Sequence, residues 1–362
     1  MTDTMNVSAK DMITGSTQLL TFDNSLGDIL SQDVYHSLNE AFSGYISTII
    51  CSVGIPANLV TCLVFWRQGL RDRMNLCLFC LAVVDLLYLL GVLPVFCVGA
   101  LLLAADSPYA EEYFLKTLIS GAGFIFGMRA TSGCYNMIIA VERCVCVVFP
   151  LKAASLLHTH TMGVLLAVCF ILIQLGYTVI PLQLRAVSVD VDGTIQWRYE
   201  PTQVFLDNKE LFQTVEVTVL TVSLPIITFL VVVITAVITV IKLTAALKWR
   251  EKTSSTCKEK VGHQTALTKM LLVVSFIYIC SMVPSVSLTI TRLVIKEFSA
   301  SGRYYYLFMG SHIVANIFPL THSAANFFVY YNRSSRFKSV FSDLLRRGSR
   351  RTVSADRSTS VF

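Results

Sequence analysis

The sequence predicts an all-α integral membrane protein, a bundle of seven transmembrane helices followed by a short amphipathic helix on the membrane surface. Of its 362 residues, 54% are apolar and 14% are Asp, Glu, Lys or Arg, whereas soluble domains carry about 25% charged residues. Seven long segments are almost free of charge, and each has the about 20 residues that a helix needs to cross a bilayer. Their unbroken apolar character favours helices over the alternating strands of a membrane barrel.

The seven segments follow one another along the chain, and polar or turn-forming residues separate each from the next. Numbered by residue, they are 42–66, 75–105, 117–141, 162–184, 217–241, 270–291 and 304–332. Only Asp85 in the second segment and Arg129 in the third place a full charge inside a segment. Because a charge in the bilayer interior is costly, both residues are candidates for function.

A short apolar stripe at helical spacing follows the seventh segment and is typical of an amphipathic helix on the inner leaflet. Its residues are Phe337, Val340, Phe341, Leu344 and Leu345. We therefore predict an extracellular tail at 1–44, the bundle at 45–332, the surface helix at 333–345 and a disordered cytoplasmic tail at 346–362.

Basic residues predict the orientation, because short loops rich in Lys and Arg stay in the cytoplasm. They cluster after the first segment, between the fifth and sixth, and in the C-terminal tail, while the N-terminal tail is acidic. We expect a plasma-membrane protein with its N-terminus outside and its C-terminus inside. The net charge of +6 then reflects topology and contact with anionic lipid, and does not indicate nucleic-acid binding.

Polar motifs at the inner ends of two segments are the most informative. The third segment contains S-G-C-Y-N-M-I-I-A-V-E-R-C-V-C-V-V-F-P-L, with Glu142 and Arg143 ahead of Pro150, and the seventh contains N-F-F-V-Y, from Asn326 to Tyr330. Both resemble signature motifs of the rhodopsin-like G-protein-coupled receptors. The resemblance runs from about residue 44 to residue 345.

Further matches lie in the other segments. G-I-P-A-N-L-V places Asn58 where the family has a helix-packing Asn, and L-A-V-V-D places Asp85 where it has a buried acid. Prolines stand where the family kinks its fourth, fifth and sixth helices, at Pro181, Pro225 and Pro284. The segment F-W-R-Q-G-L-R-D-R-M-N after the first span, together with the departures from the family pattern described next, resembles the invertebrate neuropeptide receptors or the molluscan chemosensory receptors.

The chain also departs from the family pattern. No Cys stands at the outer end of the third segment or in the second outer loop, so we expect no family disulfide. Met282 stands in place of an aromatic switch residue, Phe327 in place of a Pro, and Gln264 in place of an acidic residue. These changes put the family's usual activation switches in doubt.

The resemblance implies how the cytoplasmic end works. Glu142 should hold Arg143 at rest and release it to a heterotrimeric G protein in the active state. The activation residues would also include Met282, Pro284, Asn326 and Tyr330. With Gln264 in place of an acid, the resting lock should be weak, which predicts activity without ligand. The alternative is that Arg143 only anchors the helix end in the cytoplasm.

The resemblance also implies an internal polar pocket around Asp85, where related receptors hold a sodium ion. Its other members would be Ser132, His322, Ser323 and Asn326. We predict that Arg129 reaches Asp85 and displaces sodium with a salt bridge. Two alternatives stay open: Arg129 points outward to an acidic ligand, or it bonds to neighbouring carbonyls or Glu216.

The sequence says less about the class of ligand than about the class of protein. Ile125 occupies the place where receptors for biogenic amines carry an Asp, which disfavours a small cation, and the seventh segment has no Lys for retinal. The arginines Arg129, Arg185 and Arg292 favour a peptide or an anionic small molecule. The alternative is that Arg185 and Arg292 are ordinary helix-end charges. Phe126 and Asn316 complete the candidate ligand pocket.

Two other classes of function compete with a receptor. A transporter or channel could use Asp85 and Arg129 as an ion pathway. An enzyme is disfavoured, because no nucleophile, base or metal-ligand cluster is evident, and we expect no metal site or other cofactor.

The two termini contain candidate modification and docking sites. Asn6 opens an N-V-S sequon for glycosylation. R-R-G-S and R-R-T-V-S present Ser349, Thr352 and Ser354 as phosphorylation sites that would recruit arrestin, although the same residues can be read as a basic patch with incidental serines. The chain ends at Phe362 with a possible ligand for a PDZ domain.

Overall fold

The computed structural model describes residues 28–105, 107–150, 153, 158–191, 194–253, 258–299 and 302–346, with the backbone alone at 191, 194, 249–253 and 258–264. The predicted glycosylation, phosphorylation and PDZ sites therefore lie outside the described residues: Asn6, Ser349, Thr352, Ser354 and Phe362.

Seven long helices make up most of the described part of the chain, and each predicted segment lies within one of them to within a residue. They are α1 Gln32–Gln68, α2 Arg73–Ala104, α3 Ala110–Val148, α4 Thr159–Gln183, α5 209–253, α6 Lys258–Val294 and α7 Tyr305–Arg333. The prediction of an all-α membrane helix bundle is confirmed. Six of the helices are long and apolar enough to cross a membrane by length and composition alone. The exception, α7, is long enough but more polar, and its buried polar residues include His322, Ser323 and Asn326.

Helix α3 lies at the centre of the bundle. It packs on α2, α4, α5 and α6, while α1 closes the ring between α2 and α7. In the apolar stretch of α3, 61% of the residues are buried, against 17% in α4 and in α5. Side chains of α3 can therefore reach sites on most of the other helices.

Close approach of α1 to α2 and α7 depends on a glycine. A Cβ at Gly54 would lie 2.7 Å from Leu89 Cδ1 and 2.9 Å from Ala324 Cβ. One turn further along, the Asn58 amide donates to the carbonyls of Gly54 at 3.0 Å and Ser323 at 2.8 Å. Buried polar groups need such partners, so Asn58 joins α1 to α7.

Three π-helical stretches widen the outer ends of helices. They are Asn39–Ile46 in α1, Leu93–Val98 in α2 and Thr214–Ser223 in α5. The last one ends just before Pro225, whose missing N–H and ring prevent a regular hydrogen bond to the preceding turn. Wide turns of this kind re-aim side chains and often occur at functional sites.

An antiparallel hairpin fills the loop between α4 and α5, where we expected only a polar loop. Strand β1 is Leu184–Val191 and β2 is Thr194–Pro201, with Leu184 opposite Pro201 and Val191 opposite Thr194. The signal was present in the sequence, because an Asp-Gly pair flanked by alternating apolar residues is typical of a two-residue hairpin turn. Lys116 of α3 places its Nζ 4.3 Å from the centre of the Trp197 ring, so α3 contacts β2.

The surface helix α8 spans 335–346. Ser334 ends α7 and caps α8, because its hydroxyl accepts a hydrogen bond from the Phe337 N–H at 3.2 Å. Phe337 is fully buried, with its ring centre 5.5 Å from that of Phe65 and 5.8 Å from that of Phe327. Phe327, which replaces a family Pro, therefore helps to hold α8 against the bundle.

Candidate functional site

A cavity of about 370 Å³ lies between α3, α4, α5, α6 and α7. Ligand-binding cavities are commonly about 300–1,000 Å³, so this one suits a small molecule. Its wall is mostly apolar and aromatic, and includes Phe126, Tyr177, Leu220, Tyr278 and Met282.

Arg129 is the cation of this cavity. Its Nη1 donates to Asn316 Oδ1 at 2.7 Å and its Nη2 to Ser285 Oγ at 2.8 Å. The predicted salt bridge to Asp85 is therefore wrong. The reason is helix polarity, because helical side chains lean toward the N-terminus of their own helix. Arg129 thus leans toward the start of α3, while Ser132, almost one turn further along the helix, reaches Asp85.

Glu216 of α5 is the acidic residue of the same cavity wall. Its Oε2 accepts a hydrogen bond from Gln183 Nε2 at 2.5 Å. Within the described chain no ion pair joins Glu216 to Arg129, so the alternative that Glu216 neutralises Arg129 is also wrong. His312 completes the polar wall, and its Nε2 is buried with no hydrogen-bond partner among the described residues.

Three of the predicted ligand-pocket residues line the cavity, namely Phe126, Arg129 and Asn316. Ile125 does not, because it faces α2, where a Cβ on Gly91 would lie 3.0 Å from its Cγ1. Arg292 also lies outside, with its guanidinium 5.8 Å from the centre of the Phe308 ring.

Most of the polar wall was not predicted from the sequence. The polar lining residues that were not placed in the cavity include Glu216, Ser285 and His312. Helical spacing alone could have linked Ser285 and Thr289 as one face of α6, but not their approach to α3.

The polar cluster around Asp85 lies deeper in the bundle. Asp85 is fully buried, and its Oδ1 accepts hydrogen bonds from the hydroxyls of Ser132 at 2.7 Å and Ser323 at 2.9 Å. Its Oδ2 accepts from the Asn326 amide at 2.9 Å. These four residues, from α2, α3 and α7, come together as predicted from the resemblance.

His322 is close to this cluster but does not complete it. Its ring packs against Tyr278, with centres 5.5 Å apart, and its Nε2 has no hydrogen-bond partner in the part of the chain that the structure describes. Tyr278 also lines the cavity, next to Met282. Tyr278 of α6 therefore lies between the cavity and His322.

Asp85, Ser132 and Ser323 bring a carboxylate and two hydroxyl oxygens together, and oxygen ligands of this kind are those that a hard cation prefers. Arg129 leaves this space free of a competing cation, since its guanidinium is bound to Asn316 and Ser285. His322 adds no oxygen ligand.

The third polar site is near the C-terminal end of α3. Glu142 and Arg143 are 2% and 5% exposed, and Arg143 Nη2 donates to Glu142 Oε1 at 2.6 Å while its Nε bonds Oε2. Arg73 joins them, with its Nε 2.8 Å from Glu142 Oε1. Arg73 is one of the basic residues that follow the first segment, and in the sequence it predicted only the orientation of the chain.

The first turn of α2 fixes the place of Arg73. Asp72 caps this helix, accepting hydrogen bonds from the N–H groups of Met74 at 2.8 Å and Asn75 at 3.4 Å. Cys146, one turn after Glu142 on α3, accepts from Arg73 Nη2 at 3.0 Å. The carboxylate of Glu142 is thus shared by two arginines.

The other predicted activation residues lie along α6 and α7. Pro284 is inside α6, between Met282 and Ser285, which line the cavity. Tyr330 is 1% exposed, its hydroxyl has no partner among the residues described, and its ring centre lies 5.4 Å from that of Phe65.

A seven-helix membrane bundle with a cavity toward one end, a buried carboxylate cluster beneath it and a buried Glu–Arg pair toward the other end defines a seven-transmembrane receptor. Residues 57–330 match the family described as the 7 transmembrane receptor (rhodopsin family). The match covers well over half of the chain, so the chain belongs to this family. It includes Asn58, Asp85, Arg143 and Tyr330, and the family is one of signalling receptors and not of enzymes. A search of the curated proteins gave no match.

Proposed function

We propose that this receptor resides in the plasma membrane with its N-terminus outside, and that its ligand carries an anionic group bound by Arg129. The observation that carries the proposal is the charge of Arg129. Among the described residues the guanidinium has only neutral partners, Asn316 and Ser285. An uncompensated cation in an apolar cavity attracts an anion.

The proposed mechanism is a shift between two packings of the helices. A ligand favours one packing only by the difference in its affinity for the two. Arg129 connects α3 to α6 through Ser285 and to α7 through Asn316. An acidic ligand that takes over these donors would loosen α3 from α6 and α7, and a heterotrimeric G protein would bind the opened cytoplasmic end.

A ligand screen in cells that express the full chain tests this proposal. Anionic small molecules and peptides should be applied first, with calcium, cyclic nucleotide and arrestin recruitment as readouts. The variant Arg129→Gln should lose the response, while Arg292→Gln, whose side chain lies outside the cavity, serves as the matched control. An unchanged response in Arg129→Gln would contradict the role of Arg129.

The same cells separate a receptor from a transporter or channel. A joint ion pathway through Asp85 and Arg129 is disfavoured, because Arg129 binds Asn316 and Ser285 while Asp85 accepts hydrogen bonds from Ser132, Ser323 and Asn326. We expect second-messenger changes without ligand-gated current or uptake. The invertebrate neuropeptide or molluscan chemosensory subtype stays a prediction that the active ligand would decide.

A further inference from the structure

Two opposite charges line the same cavity without neutralising each other. Arg129 lies in α3 and Glu216 in the π-helical stretch of α5. Each is bound by uncharged groups of the described chain, Arg129 by Asn316 and Ser285 and Glu216 by Gln183. Both charges therefore face the cavity with unused capacity for a ligand of opposite sign.

Glu216 has room for a further donor. A carboxylate can accept about four hydrogen bonds, and within the described chain Glu216 receives one, on Oε2. Gln183 is neutral, so it orients the carboxylate and leaves the negative charge uncompensated. A protonated amine or a guanidinium would supply both the missing charge and the missing donors.

Simple ligands of one sign satisfy only half of this cavity. An acid without a basic group pairs with Arg129 but is repelled by Glu216. An amine without an acidic group pairs with Glu216 but is repelled by Arg129. In a low-dielectric site such repulsion is barely screened. The aromatic and aliphatic wall, which includes Phe126, Tyr177 and Leu220, suits an apolar spacer between two charged ends.

We propose that the ligand is amphoteric: a small molecule with an acidic group for Arg129 and a cationic group for Glu216. This inference rests on the proposed function, since it takes Arg129 as the anion site, and adds Glu216 as the residue that selects among anionic ligands. The cavity of about 370 Å³ limits the ligand to a small molecule.

A matched series of compounds tests the proposal on the full chain purified in lipid nanodiscs. The probes are ω-amino acids of graded chain length, each compared with the monocarboxylic acid and the monoamine of the same length. Apparent affinity is measured from the concentration dependence of thermal stability. At one or two chain lengths, the amino acid should bind at least about tenfold more tightly than both analogues.

Two variants, each with a matched control, show which residue is responsible for the tighter binding of the amino acid. Glu216→Gln should remove the advantage of the amino acid over the plain acid, whereas Glu210→Gln, an exposed acid at the start of α5, should not. Arg129→Gln should weaken the amino acid and the acid alike, and Arg292→Gln should weaken neither.

Different experimental results would contradict the amphoteric ligand and the anion site. Equal affinity of the acid and the amino acid in the wild type, or no loss in Glu216→Gln, overturns the amphoteric ligand and leaves Arg129 as an anion site. Binding that survives Arg129→Gln overturns the anion site itself. No stabilisation by any probe overturns the amphoteric small-molecule proposal, while a second-messenger response that requires Arg129 and is evoked by another anionic ligand would preserve the proposed function.

Discussion

Arg73 donates from Nε to Oε1 of Glu142 over 2.8 Å, so the carboxylate that pairs with Arg143 has a second cation from α2. Releasing a partner from a buried ion pair normally leaves an unpaired charge, which costs about 3–5 kcal/mol. With Arg73 in place, Glu142 stays paired when Arg143 leaves. This contact should make release easier, and it supports the prediction of activity without ligand that the Gln264 substitution suggested.

The variant Arg73→Ala should therefore lower the activity seen without ligand, by about tenfold or more if most of that buried-charge cost returns. The activity is measured as second messenger per receptor at the cell surface. Arg71→Ala is the matched control, because it removes a neighbouring, exposed cytoplasmic charge. Arg73→Lys should give an intermediate value. Higher basal activity in Arg73→Ala would show that Arg73 strengthens the resting lock instead.

Sodium should stabilise the wild-type receptor through Asp85, the reverse of what an Arg129–Asp85 bridge would give. The purified chain is compared in sodium chloride and in the chloride of a bulky organic cation. A rise in the thermal midpoint of about 2 °C or more is expected in sodium. The rise should persist in Arg129→Gln and disappear in Asp85→Asn. A wild type that is insensitive to sodium would contradict this prediction.

Much of the fold could be predicted because the bilayer sets the length of each helix, so hydropathy alone locates it. The Asp85 cluster could be predicted from the resemblance, because its members occupy motif positions. The direction of the Arg129 side chain could also have been predicted, because helical side chains lean toward the N-terminus of their own helix. The predicted salt bridge took account only of which charged groups could pair.

Other contacts depend on packing that no local pattern reports. Arg73 reaches Glu142 only because the first turn of α2 lies beside the inner end of α3. Glu216 and Gln183 meet because the outer ends of α4 and α5 adjoin. The hairpin, by contrast, could have been predicted from the Asp-Gly pair in the sequence between its two strands.

The aromatic contacts of Phe327 should contribute to stability. Its ring centre lies 5.8 Å from that of Phe337 and 5.7 Å from that of Phe341. We expect Phe327→Ala to lower the free energy of unfolding by about 2–3 kcal/mol, somewhat less than for a fully buried Phe. The neighbouring Phe328→Ala, whose ring is 48% exposed, should have a smaller effect. Thermal unfolding of the purified receptor measures both, and equal losses would contradict the packing role.

The contact between Lys116 and Trp197 should hold the hairpin against α3, where related receptors use a disulfide. A cation–π contact at an exposed site contributes about 0.5–1 kcal/mol, enough to shift a local opening equilibrium severalfold. Lys116→Ala and Trp197→Leu should each speed amide hydrogen exchange in residues 184–201, and the double variant should add little to either. Lys116 also pairs with Glu112 at 2.6 Å, so Glu112→Gln is the control for that bond. If Glu112→Gln speeds exchange as much as Lys116→Ala, the ion pair and not the Trp197 ring positions Lys116. If the two single effects simply add, the contact does not couple the hairpin to α3.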